Sequence, residues 1–183
     1  MRHLSILFIA AAALLASCTG NGDKSTRGST ADTGRLAKAT DKPTAIATQN
    51  NPAIESTPVN NQIELTASDR MQYSDTLFKV KAGQQVSLKL TNIGKMPKNS
   101  MGHNFTLLKT GTDITKFASE GLKYRDQDYV PAAMKDSVIA HTPLVGPGES
   151  ARISFVIKHK GYYDFICTFP GHYGSMRGKI VAE

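Results

Sequence analysis

Ile63 and Leu65, then Val86, Leu88 and Leu90, then Ile153, Phe155 and Ile157 occupy every second position. Glu64, Ser87, Lys89 and Ser154 stand between them. A period of two is the mark of a strand with one face buried. Shorter apolar segments at 78–81, 105–108, 162–167 and 178–182 have the same texture, and Ala82-Gly83 and Gly146-Pro147-Gly148 supply turns. About seven or eight short strands at this spacing predict an all-β fold, a Greek-key antiparallel β-sandwich. One stretch departs from it. Asp113 can cap a helix reaching about Leu122, with Ile114, Phe117, Ala118 and Leu122 on one face and Gly121 near its end. It reads as a short helical insertion, followed by a long polar connection to Val138.

The strand texture begins only near residue 61. Residues 1–17 open with Arg2 and His3 and continue as an apolar run from Leu4 to Leu15, too short to span a bilayer. This is the pattern of a secretory signal. It ends in Leu15-Ala16-Ser17-Cys18, which resembles the lipobox of bacterial lipoproteins and marks Cys18 for acylation after cleavage. Residues 18–60 are rich in Thr, Ala, Asn, Gly, Lys and Pro, without an aromatic residue. Such a segment buries too little apolar surface to offset the entropy of ordering. As a flexible tether, the 42 residues from Thr19 to Asn60 would span roughly 35–40 Å.

Charge adds little. The chain carries a formal net charge of +7, and from residue 61 onward Lys and Arg number 16 against 11 Asp and Glu. The basic residues form no block and do not interleave with aromatics, so the composition gives no nucleic-acid platform. The excess is a solvated surface, with attraction to an acidic partner or anionic headgroups as its functional use. The two cysteines, Cys18 and Cys167, would make an awkward disulfide between a cleavage site and the far end of a domain. Lipid on one and metal on the other accounts for both.

Cys167, His172 and Met176 follow one another at C-x4-H-x3-M spacing between two apolar stretches. A thiolate and an imidazole with a nearby thioether are three parts of a blue-type copper site, which wants two His and one Cys in a plane and a weak axial Met. His103, in Met101-Gly102-His103-Asn104, supplies the second imidazole. His3 leaves with the signal, His159 sits between Lys158 and Lys160, and His141 falls on an exposed strand edge. The Gly102 carbonyl is a candidate second axial contact, because glycine lets the backbone approach closely. Pro170 and Gly171 would shape the ligand loop. Asn104 would hydrogen-bond across to that loop, supported by Thr168 and Phe169, which follow Cys167.

One copper ion held this way shuttles single electrons. Copper catalysis generally needs an open coordination position and often a second metal. No second His cluster stands in the sequence, which predicts a carrier and not an enzyme. Copper storage or delivery is the competing class. It would favour an exchangeable, Met-rich or open site, whereas Phe169 and Pro170 predict a closed one.

Residues 61–183 resemble the azurins, blue copper proteins of bacterial electron transfer, through the stretches 68–73, 97–104, 138–142 and above all 165–172. The resemblance implies copper ligation by His103, Cys167 and His172, with Met176 and the Gly102 carbonyl axial. It also implies an exposed apolar patch of Met96, Met101, Phe169, Pro170, Gly171 and Gly174, through which His172 passes electrons. Redox proteins such as cytochromes, a copper nitrite reductase or a peroxidase would be the partners. With the lipobox, it implies a lipid-anchored subgroup in the bacterial cell envelope, held to the inner or outer membrane, with the domain in the periplasm or on the surface. The chain departs from the family pattern at Asn61 and Gln84, where a disulfide is usual. It departs again at Phe105, where a Trp is frequent, and at Asn92, which replaces a titrating buried His.

Overall fold

A computed structural model describes residues 51–183. The expected signal, the acylated Cys18 and most of the tether lie outside the described residues. Residues 51–60, read as the end of the tether, have local structure. Asn51 caps the short helix α1 (Pro52–Ser56), its side chain accepting from the Ala53 N–H at 3.0 Å. Val59 then bridges to Lys79.

Among the described residues nine strands form two sheets. They are β1 (Gln62–Ser68), β2 (Gln72–Tyr73), β3 (Leu77–Val80), β4 (Gln85–Asn92), β5 (Thr106–Leu108), β6 (Val138–His141), β7 (Ser150–Val156), β8 (Gly161–Ile166) and β9 (Arg177–Ala182). One sheet runs β2-β1-β4-β7 and the other β3-β9-β8-β5-β6. The expected sandwich is present, but its sheets are mixed. β1 pairs with β4, and β3 with β9, in parallel. The Ala82-Gly83 turn explains this. It joins β3 to β4 in different sheets instead of closing a hairpin, so β4 returns alongside β1 in the same direction.

The alternation read from the sequence sets the core. Ile63, Leu65, Val86, Leu88, Leu90 and Phe155 are buried between the sheets, facing Phe105, Leu107 and Phe165. Register brings Leu88 opposite Ile63 on one side and Ile153 on the other. β5 is buried on both faces. Its outer face meets α3 (Ile114–Gly121), where Leu108 and Ile166 pack with Phe117 and Val130 in a second small core. The Asp113 carboxylate caps α3, accepting from the Lys116 N–H at 3.0 Å. Leu122, expected on its buried face, is 55% exposed. The helix ends at Gly121, whose missing side chain leaves room for the Tyr129 carbonyl, and Leu122 turns off the sheet. α3 is not the sole helix. α2 (Lys98–Met101) precedes the first ligand motif, and two 3-10 segments, Arg125–Gln127 and Ala132–Ser137, occupy the connection to β6.

The ends of β4 and β8 and the β1–β2 turn lie at one pole of the sandwich. The Cys167 loop follows β8 directly, and α2 leads from β4 to the His103 motif.

Candidate metal centre

After β4 the chain makes α2 and reaches Gly102 in extended conformation. A β-carbon there would stand 2.5 Å from the Leu144 side chain and 2.6 Å from the Lys98 carbonyl. Only glycine lets this strand of backbone pass. His103 is then fixed by a two-way backbone bridge to Val145, at 3.1 and 2.7 Å.

The second motif closes on itself. The Cys167 N–H donates to the Met176 carbonyl at 2.9 Å, and the Met176 N–H to the His172 carbonyl at 2.8 Å. The His172 N–H donates to the Phe169 carbonyl at 3.0 Å. Gly171, at φ +83°, takes the left-handed conformation this tight loop requires. The C-x4-H-x3-M spacing is therefore the length of one closed loop between β8 and β9.

The two motifs meet. One donor atom from each of His103, Cys167 and His172 lies within 4.8 Å of the others, and all three residues are buried. Cys167 Sγ stands 3.6 Å from His172 Nδ1, and the imidazole rings are 5.1 Å apart. Among the described residues no other group of three His, Cys, Asp or Glu side chains converges this way. His141 and His159 are exposed and apart from it. Met176 is fully buried at the end of the loop, in the same cluster as Cys167 and Phe169.

The electrostatics suit a soft cation. Burial pushes the His172 pKa down to about 4, with His103 adding to the effect. Burial also lowers that of His103, while Asp69 and the Ser68 carbonyl pull it back up. The Ser68 carbonyl acts without reaching hydrogen-bond geometry, since both His103 ring nitrogens are buried and unpartnered. Both rings are thus neutral at pH 7, with lone pairs to offer. Burial raises the Cys167 thiol to about 11, opposed by the backbone N–H groups of Asn104 and Phe169 and by the Tyr73 hydroxyl. A bound metal ion displaces such a proton outright. Sulfur with two imidazoles and no carboxylate is a copper donor set, not one for calcium or magnesium. The orphaned His103 nitrogens show that the site is built for a ligand the protein does not itself supply.

Asn104 performs the expected cross-tie. Its Nδ2 donates to Thr168 Oγ1 at 2.7 Å and to the Asp128 carbonyl at 2.8 Å, and its Oδ1 accepts from the Thr168 N–H at 2.8 Å. Phe169 is also in place, with its ring 4.6 Å from that of His172 and 5.4 Å from Tyr129. That position corrects its other assignment. Phe169 is 7% exposed and walls the site from inside, so it is no part of a surface patch. Met96, Gly171 and Gly174 are exposed, and Met101 and Pro170 half-buried, as a contact surface needs.

Sequence reasoning missed Asp128, Thr142 and Tyr73. Asp128, in left-handed conformation, accepts from Asn104 and Thr168 through its carbonyl and from Leu144 through its side chain. Thr142 Oγ1 accepts from the Phe105 N–H at 3.0 Å. Both sit in connections with no periodic signal.

Residues 59–183 match the family of copper binding proteins described as the plastocyanin/azurin family. The chain is 36% identical over 127 residues to an azurin of Pseudomonas aeruginosa, covering 66% of this chain and 84% of that one. An azurin of Alcaligenes faecalis is 35% identical over 123 residues, covering 64% and 94%. Among solved structures, a dithionite-reduced auracyanin from Roseiflexus castenholzii superposes with a TM-score of 0.63 at 29% identity, covering 69% of this chain and 99% of that one. Auracyanin A, a blue copper protein of Chloroflexus aurantiacus, gives 0.60 at 31% identity, covering 67% and 98%.

Proposed function

The chain belongs to the plastocyanin/azurin family of copper-binding proteins, and we propose that it is a membrane-anchored carrier of single electrons between respiratory redox proteins. The family consists of electron carriers, not enzymes. The observation that carries the reading is the convergence of two neutral imidazoles and a cysteine sulfur within 4.8 Å, buried, with His103 left unpartnered.

Copper bound there supplies a one-electron couple. The residues do the rest. His103, Cys167 and His172, with Met176 and the Gly102 carbonyl, would hold the ion. The backbone bridge at His103 and the cross-tie of Asn104 hold the ligand side chains in place, which would keep rearrangement small on electron transfer. Phe169 keeps water out beside His172. The exposed Met96, Gly171 and Gly174 with the half-buried Met101 and Pro170 would form the small contact area. A small interface suits brief redox encounters. Cytochromes, a copper nitrite reductase or a peroxidase are the partner classes, by family analogy. The lipobox at Cys18 is the support for anchoring in a bacterial envelope, with the domain in the periplasm or on the surface.

The test is the visible spectrum of the full chain after addition of Cu(II) and then a reductant. An intense blue thiolate-to-copper band that bleaches on reduction, and is missing in Cys167→Ser, is expected. A colourless complex would refute the carrier reading and put copper storage in its place. Incorporation of labelled fatty acid, lost in Cys18→Ser, is the separate check on the anchor.

A further inference from the structure

The stretch 68–73 shares the family resemblance but has no role in the ligand set. In the structure it is the β1–β2 hairpin, with Ala67 paired to Tyr73 and Ser68 to Gln72. It touches the metal pole at three points. The Asp69 carboxylate accepts from the N–H groups of Lys95 and Met96, at 2.7 and 3.3 Å. The Met71 carbonyl accepts from Ser175 Oγ in the ligand loop, at 3.0 Å. The Tyr73 hydroxyl donates to the Asn104 carbonyl, and of the three contacts this one is buried.

We propose that Tyr73 is a positioning residue of the metal centre: its hydroxyl holds the Asn104 carbonyl and sets the hydrogen bonding around the Cys167 sulfur. The ring is fixed by the core, 5.6 Å from that of Phe165, so the place of the hydroxyl is decided by packing. Asn104 is the residue on which both ligand motifs depend. Its side chain ties Thr168, next to Cys167, and its own N–H favours the Cys167 thiolate. The peptide unit that follows it is gripped at both ends. Tyr73 donates to its carbonyl, and its Phe105 N–H donates to Thr142.

The same hydroxyl faces Cys167, where it favours the thiolate. A phenol titrates at about 10, so the hydroxyl is a donor at neutral pH. That proton is given to the Asn104 carbonyl, and the O–H lies near enough to the sulfur to act on its charge. Hydrogen bonding at a ligating cysteine tunes the reduction potential of blue-copper sites. A sulfur carrying more negative charge draws the donor more strongly, and the reduced site leaves more charge on sulfur. Tyr73 therefore favours the reduced state.

The test is Tyr73→Phe in the full chain, which keeps the ring and its packing. In the metal-free protein, amide exchange of Phe105 should quicken about fivefold relative to Leu88 in β4, the effect of one net hydrogen bond. In the copper-loaded protein, the equilibrium with a fixed redox mediator should shift roughly three- to tenfold toward the oxidised form. An unchanged Phe105 exchange overturns the clamp. An unchanged potential, or a shift toward the reduced form, overturns the tuning. The second readout alone rests on the electron-carrier reading. If the unaltered chain gives no blue band, that reading fails, and the exchange comparison decides Tyr73 by itself.

Discussion

The sandwich interior and the metal pole are equally buried, for opposite reasons. Val86, Leu88, Leu90, Phe105, Leu107 and Phe165 have no exposed surface and no polar side-chain atom among them. Removal of that surface from water is sufficient reason for their position. At the pole, His103, Asn104, Thr168 and His172 are no more than 2% exposed and all are polar. Asn104 and Thr168 satisfy one another, whereas His103 has no partner at either ring nitrogen. A satisfied buried network is structure. An unsatisfied one that converges with other donors is a receptor. Convergence is the deciding word, because Thr106 Oγ1 is also buried and unpartnered, and among the described residues it is His103, Cys167 and His172 that converge.

The contrast can be broken from the core side with the largest effect. Phe165→Ala should cost about 3–5 kcal/mol in denaturant unfolding of the metal-free chain. Because Tyr73 rests on the Phe165 ring, the blue band of the loaded variant should also move. From the other side, copper should stabilise the fold where the apolar core gains nothing from it. At a free concentration a thousandfold above its dissociation constant, the gain should be about 4 kcal/mol. Melting with and without Cu(II) measures it, and Cys167→Ser should lose most of the difference.

Asn104→Ala comes next. It removes three hydrogen bonds, two of them buried, and should cost about 2–3 kcal/mol. An effect near zero would show that the two ligand loops are held by packing alone.

The last effect is in the pH profile of the metal-free chain. The folded His172 titrates near 4, below the ordinary histidine value of about 6.5. Between the two, the unfolded chain takes up a proton that the folded chain refuses, so stability falls as pH falls through that window. Cys167 titrates near 11 when folded, above the ordinary thiol value of about 8.5. There the unfolded chain releases a proton that the folded chain keeps, and stability falls as pH rises. Each slope is limited to about 1.4 kcal/mol per pH unit for one proton. Bound copper should abolish the alkaline arm, since it has already displaced the thiol proton. A metal-free profile flat from pH 4 to 6.5 would remove the claim that His172 is buried neutral.

Asn92 sharpens the same comparison. It stands where the family resemblance places a titrating histidine, and it is buried and neutral. Its side chain donates to the Val145 carbonyl and accepts from the Gly94 N–H. It belongs to the satisfied class and contributes no pH dependence of its own.

The sequence alone determined the elements with a strong local period or chemistry. Alternation located β1, β4 and β7, and Asp113 located the start of α3, because burial on one face and capping are decided within a few residues. The ligand loop was legible for the same reason, since Cys167, His172 and Met176 lie within one closed turn. His103 was legible through its chemistry, although its partners are some sixty residues away.

Tertiary structure alone decided the rest. The parallel pairing of β1 with β4 follows from a turn that crosses between sheets, and no local pattern says which sheet a strand enters. Leu122 is exposed because its helix stops one residue earlier against the Tyr129 carbonyl. Phe169 faces inward because Tyr129 and His172 are there to receive it. Tyr73, Asp128 and Thr142 reach the site through contacts made across the fold, with partners 31, 24 or 40, and 37 positions away. A hydrogen bond of that kind depends on where two distant backbones come to rest, and the chain carries no periodic record of it.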